Sequence, residues 1–405
     1  MTALSPAAQL ERLRRGTVEI VTEEALLAKL AEGRPLRVKL GLDPTAPDIH
    51  IGNAIVLQKL RQFQDLGHEA VLIIGDFTGL IGDPSGKSET RPSLTPQEIE
   101  RNAETYREQY SRILDPHRTR VAFNSQWLGA MKFYDVIKLA GRTTVHRILE
   151  RDDFAKRYAE RLPIHLHELL YPLCQAYDSV AVQADVELGG TDQKFNNLMG
   201  RELQREVGQA PQVVVLTPLL PGLDGVQKMS KSLGNAIGIT DPPNEMYGKV
   251  MSLPDPLMIP YFEYCTQVPL EEIRALEAAL GSGRAHPRDA KRRLAREITR
   301  RYHGEAAALA AEAEFDRVFG SRELPEEIPD VTLGRDRLRG GRIRLARLLV
   351  ETGLADSNTD ARRLISQGGV SLDRARVHED LEVEVRDGLL VQVGRRRFAR
   401  VRLGE

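Results

Sequence analysis

The spacing of apolar positions changes period several times along the chain, and each change predicts an element. Leu36-Arg37-Val38-Lys39-Leu40-Gly41-Leu42 alternates with period two, as a strand does. Asp43-Pro44-Thr45-Ala46-Pro47-Asp48 interrupts it with two prolines and ends on a carboxylate suited to capping a helix. Val56, Leu60 and Phe63 then recur at i, i+4 and i+7, one buried face of a helix that Gly67 stops. Val71-Leu72-Ile73-Ile74 is short and unalternating, as expected of a parallel strand covered on both faces. Strand, helix and strand in this order form a βαβ unit. They predict an α/β fold with a Rossmann-like, doubly wound parallel sheet.

The flanking pattern extends that picture. Residues 5–33 read as a surface helix ending at Gly33. The stretch 95–205 is helical in pattern apart from a strand near Val121-Ala122-Phe123, and Val213-Val214-Val215-Leu216 is β-rich again. A nucleotide-binding domain over residues 1–240, split by a helical insertion at about 125–180, accounts for this order. Asp241-Pro242-Pro243 marks a boundary, and residues 241–330 read as a helical domain ending in an acidic, proline-bearing linker. Residues 340–405 form a small α+β domain. Ser357-x-x-Asp360 caps a helix carrying Ala361, Leu364 and Ile365 on one face, and Val370 to Asp373 enters a hairpin.

Composition adds two constraints. The 405 residues carry a net charge of −1, but Arg335 to Glu405 holds sixteen Arg, no Lys and eleven acidic residues, a local +5. A basic module attached to a neutral body fits a nucleic-acid contact. Only Cys174 and Cys265 occur, which excludes a four-thiolate zinc site and makes a reducing cytoplasm the expected location. No run approaches a membrane span, and Met1 to Arg15 lacks an apolar signal core.

Five segments carry candidate chemistry. His50-Ile51-Gly52-Asn53 opens the first predicted helix, where free amides and the helix dipole attract phosphate. Lys228-Met229-Ser230-Lys231-Ser232 sets two lysines in a glycine-flanked loop, suited to neutralising a departing anion. Each alone is equally a plain capped helix or a solvated loop. Gly82 to Ser88 ends like a P-loop, but three residues separate its glycines where four are required. Its placement after a buried strand still puts Asp83 and Lys87 near a ligand crevice. Tyr171, Gln175 and Asp178 share one helical face, an arrangement that fits a pocket lining or a solvent-facing stripe. Gly189-Gly190-Thr191-Asp192-Gln193 reads as a tight polar turn, and His165 and His167 have the spacing of a strand face.

Together, these segments resemble bacterial tyrosyl-tRNA synthetases, members of the class I aminoacyl-tRNA synthetases. The resemblance spans Gly41 to Thr45, His50 to Asn53, Gly79 to Lys87, Gln175 to Asp178, Gly189 to Gln193 and Lys228 to Ser232. It implies tyrosine activation with ATP, with Mg²⁺ arriving on ATP and no protein-ligated metal, followed by transfer to tyrosine tRNA. Asp178 would accept from the substrate phenol, Tyr171, Gln175 and Asp83 would hold its amino group, and Gln193 would lie near its carboxylate. Asp43, Thr45, His50, Gly52 and Asn53 would contact ATP, with Asp192 on the ribose and Met229 and Ser232 beside the nucleotide. Lys87 and Arg91 would assist at the phosphates, and Lys228 and Lys231 would hold pyrophosphate.

The resemblance also makes the 241–330 segment an anticodon-binding domain and residues 340–405 an RNA-binding domain of the ribosomal-protein S-four type. It implies a cytoplasmic homodimer, with no membrane partner, joined through the helical insertion. Members of the family reject phenylalanine ~10⁵-fold without editing, because the analogue leaves a buried polar group unpaired. Two positions depart from the family pattern. Asn53 stands where the motif usually has a second histidine, and Lys39 aligns with a tyrosine that touches the substrate hydroxyl in many bacterial members. Lys39 receives no role from the sequence. The rival readings are a tryptophan-specific enzyme and a non-catalytic RNA-binding paralogue.

Overall fold

The structure, a computed structural model, describes residues 4–44, 48–85, 95–320, 328–338, 340–373, 375–394 and 397–404. Thr45, Lys87 and Arg91 lie outside the described residues, as does the side chain of Ser232. The chain divides into two units, Met1–Ala311 and Glu312–Glu405.

The first unit is built on a six-stranded sheet. Its strands are β1 (Glu19–Val21), β2 (Arg37–Leu42), β3 (Glu69–Ile74), β4 (Thr119–Phe123), β5 (Val186–Gly190) and β6 (Val213–Thr217). Their spatial order is β1-β6-β5-β2-β3-β4. Strands β2 to β6 run parallel, and β1 closes the edge antiparallel to β6. Five of the six residues of β3 and all of β6 are buried, which explains their unbroken Val, Leu and Ile runs. The chain builds outward through β2, β3 and β4, then returns to β5 on the other side of β2. That reversal leaves a crevice beyond the carboxyl ends of β2 and β5, the place where open α/β sheets bind ligands.

Several local expectations change. Residues 5–33 are not one helix but Pro6–Arg14, the strand β1, and Glu23–Ala31. Three half-buried residues give β1 no periodicity to read; its partner β6 defines it, through Val18 N–H donating to Leu216 O at 2.8 Å. Gly189 and Gly190 end the central strand β5 rather than forming a turn, and Thr191–Gln193 is the turn that follows. Val56 is only half-buried, whereas Ile51, Ile55, Leu60 and Phe63 are buried. The helix Ile51–Asp65 is covered on more than one side: Lys59, itself buried, donates to the carbonyls of Leu13 and Arg15 and to Gln62. His165 and His167 sit at the start of a helix, not on a strand, with His165 as the N-cap of Leu166–Val182.

Between β4 and β5 lie the helices Ser125–Leu128, Phe133–Ala140, Val145–Leu149, Asp152–Ala159 and Leu166–Val182. The helices from Pro243 to His303 fall in the same unit as the sheet. Tyr261 donates to the carbonyl of Pro221 at 2.6 Å, and Gln58 donates to the hydroxyl of Tyr302 at 2.9 Å.

The second unit has a five-stranded sheet in spatial order Ala375–Val377, Val370–Leu372, Leu390–Val393, Arg397–Leu403 and Asp330–Leu333. The helices Leu345–Glu351 and Asn358–Ser366 supply Leu345, Leu348, Leu349, Ala361 and Ile365 to its own buried core. Ser357 caps the second helix by accepting from Asp360 N–H at 3.2 Å, while the Asp360 carboxylate turns to Arg363 at 2.6 Å. Among the described residues, no helix is long and apolar enough to cross a membrane.

Candidate active site

The first functional side chain is placed by the loop leaving β2. His50, not Asp48, is the N-cap of Ile51–Asp65: its Nδ1 accepts from Asn53 N–H at 3.2 Å. That bond fixes the tautomer, because a neutral ring accepting at Nδ1 carries its proton on Nε2. Burial, with Lys228 and Lys231 nearby, pushes the His50 pKa down to about 4. The ring is therefore neutral at physiological pH and offers one N–H at the positive end of a helix. Gly52 packs closely under the His50 ring: a Cβ there would crowd its Nδ1 at 3.1 Å.

The distant lysine segment comes to this same point. Ile51 N–H donates to Ile237 O at 2.9 Å and Ile239 N–H donates to Ile49 O at 3.0 Å, so the segment leaving the lysine loop lies against the His50 segment. Met229 is buried at 1% exposure and anchors the loop, while both lysine side chains stay outside. Lys228 pairs with Asp192 at 2.6 Å, and Lys231 pairs with Asp48. Both pairs are solvent-accessible and worth at most about 1 kcal/mol. They are easily exchanged for an anionic ligand.

The third group faces the crevice from the helix Leu166–Val182. Asp178 is 3% exposed, and its two oxygens accept from Trp127 Nε1 at 2.8 Å and Asn124 Nδ2 at 3.3 Å. Burial raises its pKa to about 7 against the opposing pull of Lys39 and these two donors. Two turns earlier, Tyr171 donates its hydroxyl proton to Asp43 Oδ2 at 2.7 Å. Thr78 donates to the other Asp43 oxygen at 2.6 Å. Burial and the surrounding carboxylates Asp43, Asp83 and Asp178 hold the Tyr171 phenol well above its ordinary pKa, so it stays protonated. Gly75 makes this arrangement feasible: a Cβ there would overlap the Asp43 carboxylate and the Thr78 hydroxyl.

A polar chain links the remaining residues. Asn196 Nδ2 donates to Gln175 Oε1 at 3.0 Å and to Gln193 Oε1 at 3.1 Å. Gln193 Nε2 donates onward to Asp83 Oδ2 at 2.9 Å. Arg151, 4% exposed, donates to Ser85 Oγ at 2.6 Å and lies 3.4 Å from Asp83. Tyr171, Gln175, Asp178, Asp83, Gln193 and Asp43 thus meet around one crevice, and His50, Gly52, Asn53, Met229, Asp192, Lys228 and Lys231 gather at the start of the helix Ile51–Asp65 and the lysine loop. Lys39 does not line it as a free cation. Its ammonium is fully buried and donates to Gln175 O at 3.0 Å, Ser179 Oγ at 2.8 Å and Glu187 Oε1 at 2.8 Å.

Sequence reasoning overlooked Thr78, Asn124, Trp127, Asn196 and Arg151. Trp127 carried a readable signal as the only tryptophan of the chain. The others are ordinary residues whose roles exist only once β3, β4 and the inserted helices are brought together.

Comparisons with known proteins place the fold that carries these residues. The family described as tRNA synthetases class I (W and Y) matches residues 31–320. A tyrosine–tRNA ligase of Moorella thermoacetica is 62% identical over 400 residues, covering 98% of this chain and 96% of that protein. One from Thermotoga maritima is 52% identical and covers 99% of both chains. The crystal structure of a tyrosyl-tRNA synthetase complexed with L-tyrosine, from Archaeoglobus fulgidus, superimposes with a TM-score of 0.62 at 26% identity. It covers 76% of this chain and 99% of its own. The chain therefore belongs to the class I tRNA synthetases, in the tyrosyl-tRNA synthetase family.

Proposed function

We propose that the chain is a tyrosine–tRNA ligase whose crevice reads the phenol of tyrosine with Asp178. A substrate carboxylate oxygen attacks the α-phosphorus of ATP, forming tyrosyl-adenylate as pyrophosphate leaves. A ribose hydroxyl on the terminal adenosine of tyrosine tRNA then attacks the activated carbonyl, and AMP departs. Neither step needs a strong protein base, so positioning and charge stabilisation dominate. The observation that carries the amino-acid assignment is the buried, doubly hydrogen-bonded carboxylate of Asp178. Each of its oxygens holds one donor and keeps a lone pair for a third.

In this reading Tyr171, Gln175 and Asp83 bind the α-amino group and Gln193 lies beside the carboxylate. Asp43, Thr45, His50, Gly52 and Asn53 bind ATP, to which neutral His50 donates from Nε2, with Met229 and Ser232 alongside. Asp192 takes the ribose once Lys228 leaves it. Lys228 and Lys231 turn from Asp192 and Asp48 to the pyrophosphate, with Lys87 and Arg91 assisting. Magnesium enters with ATP as part of the substrate. Residues 241–330 act in anticodon binding and the arginine-rich second unit contacts tRNA.

The inserted helices leave Phe133, Tyr134, Val145, Tyr158 and Leu166 63–81% exposed, which supports pairing of two copies through that segment. The enzyme works in the cytoplasm, where translation takes place. Pyrophosphate exchange in the presence of tyrosine, but not tryptophan, is the expected result. Exchange driven by tryptophan, or RNA binding with no exchange, would replace the proposal with one of its rivals.

A further inference from the structure

Lys39 and Glu187 form a buried pair of opposite charges between β2 and β5 that the chemistry above leaves without a task. Parallel pairing of β2 with β5 sets them opposite one another, and both side chains are at most 1% exposed. The pair is saturated. Three N–H groups of Lys39 go to Gln175 O, Ser179 Oγ and Glu187. Glu187 also accepts from Gln175 Nε2 at 3.3 Å, from Ser179 Oγ at 3.1 Å and from Gln212 Nε2. Four of these partners lie on Gln175 and Ser179, the two residues that bracket Asp178 on its helix. An ammonium whose donors are all taken cannot reach a substrate hydroxyl.

We propose that Lys39, braced by Glu187, is a positioning residue of the tyrosine site: it pins the Gln175–Ser179 turn, which carries Asp178, onto β2 and sets a buried cation beside that turn. The inference rests on the tyrosine-site reading above and adds a residue to it. Two charges inside a low-dielectric core act on Asp178 with opposite sign. Lys39 favours its charged form and Glu187 opposes it, and the lysine has the larger effect. The remaining titratable neighbours on its own helix, Tyr171 and Cys174, are both held protonated by burial, Cys174 with a pKa pushed up to about 12. Asp43, at the end of β2, is the further carboxylate coupled to both of them.

The opposite signs give a test that a purely structural brace would not pass. Replacing Lys39 alone strands a buried carboxylate and threatens the fold. The informative variants in the full-length enzyme are therefore Lys39→Met/Glu187→Gln, which removes both charges, and Glu187→Gln, which keeps the cation. Both are assayed by tyrosine-dependent pyrophosphate exchange from pH 6 to 9. The double variant is expected to raise KM for tyrosine about tenfold, to leave KM for ATP unchanged, and to move the acid limb of kcat/KM for tyrosine up by about one pH unit. Glu187→Gln is expected to move that limb down.

Limbs that stay put in both variants, or move in the same direction, overturn the proposal. Glu187→Gln alone decides the sign if the double variant does not fold. Failure of the underlying site reading is separate: it appears as a wild-type enzyme without tyrosine-dependent exchange, or as an Asp178→Asn variant with unaltered tyrosine kinetics.

Discussion

At the scale of single residues, burial decides what each ionisable group can do. The acid limb of kcat/KM for tyrosine in the wild-type enzyme should fall near pH 7, because Asp178 titrates at about 7 instead of its ordinary 3.8. An acid limb near pH 4 would show that the carboxylate is solvated and not the recognition group. The same shift affects stability. A carboxyl raised above its unfolded value stabilises the fold fully below pH 3.8, and that contribution is lost as pH rises through about 7. His50 works in the other sense: its depressed value contributes above pH 6.5 and loses that contribution as pH falls toward 4. Gly75→Ala should cripple tyrosine activation, since its methyl group takes the space of the Asp43 carboxylate that Tyr171 and Thr78 share. Normal exchange kinetics in that variant would remove Asp43 from the site. None of these shifts is legible in sequence. Asp178 looks like any helical carboxylate until Trp127 and Asn124 arrive from the segment after β4.

At the scale of elements, the legible features were those with a local cause. Period-two alternation found β2, unbroken aliphatic runs found β3 and β6, and a serine followed three residues later by an aspartate found the cap at Ser357. The helix start at His50 was misplaced by two residues because Asp48 is the better capping residue in isolation. Tertiary pairing with Lys231 takes Asp48 away, and the histidine ring caps instead. Strand β5 was missed because its Gly189-Gly190 ending imitates a turn; the close approach of Gln193 and Leu219 is what requires glycine there. The lysine loop also belongs to this scale. Lys231→Ala should slow adenylate formation by roughly 10²-fold while leaving the tyrosine dissociation constant unchanged, the mark of charge stabilisation at the leaving group. A normal forward rate in single-turnover measurements would contradict that role.

At the scale of the whole molecule, the chain forms two compact units. The second unit has its own apolar core, so removing residues after 320 should leave the first unit folded. Such a truncation is expected to keep pyrophosphate exchange within about twofold and to lower tRNA charging at least roughly tenfold, with a shallower salt dependence of tRNA binding. Equal charging by both forms would show that the arginine-rich unit is not a tRNA contact. The chain order of motifs carried more of this architecture than composition did. A near-neutral net charge concealed a basic terminal module, and the apolar pattern of the helices from Pro243 to His303 does not show that they fall in the same unit as the sheet. Solvent exposure of the inserted helices was invisible in the sequence, because amphipathic faces look alike whether they cover the sheet or face outward.

Selection of tyrosine by Asp178 is tested by comparing adenylate formation from tyrosine and phenylalanine in the wild-type enzyme and Asp178→Asn. In the variant, kcat/KM for tyrosine is expected to fall roughly 100-fold or more while that for phenylalanine changes little, so that discrimination collapses. An unchanged tyrosine-to-phenylalanine ratio in a folded variant would contradict it.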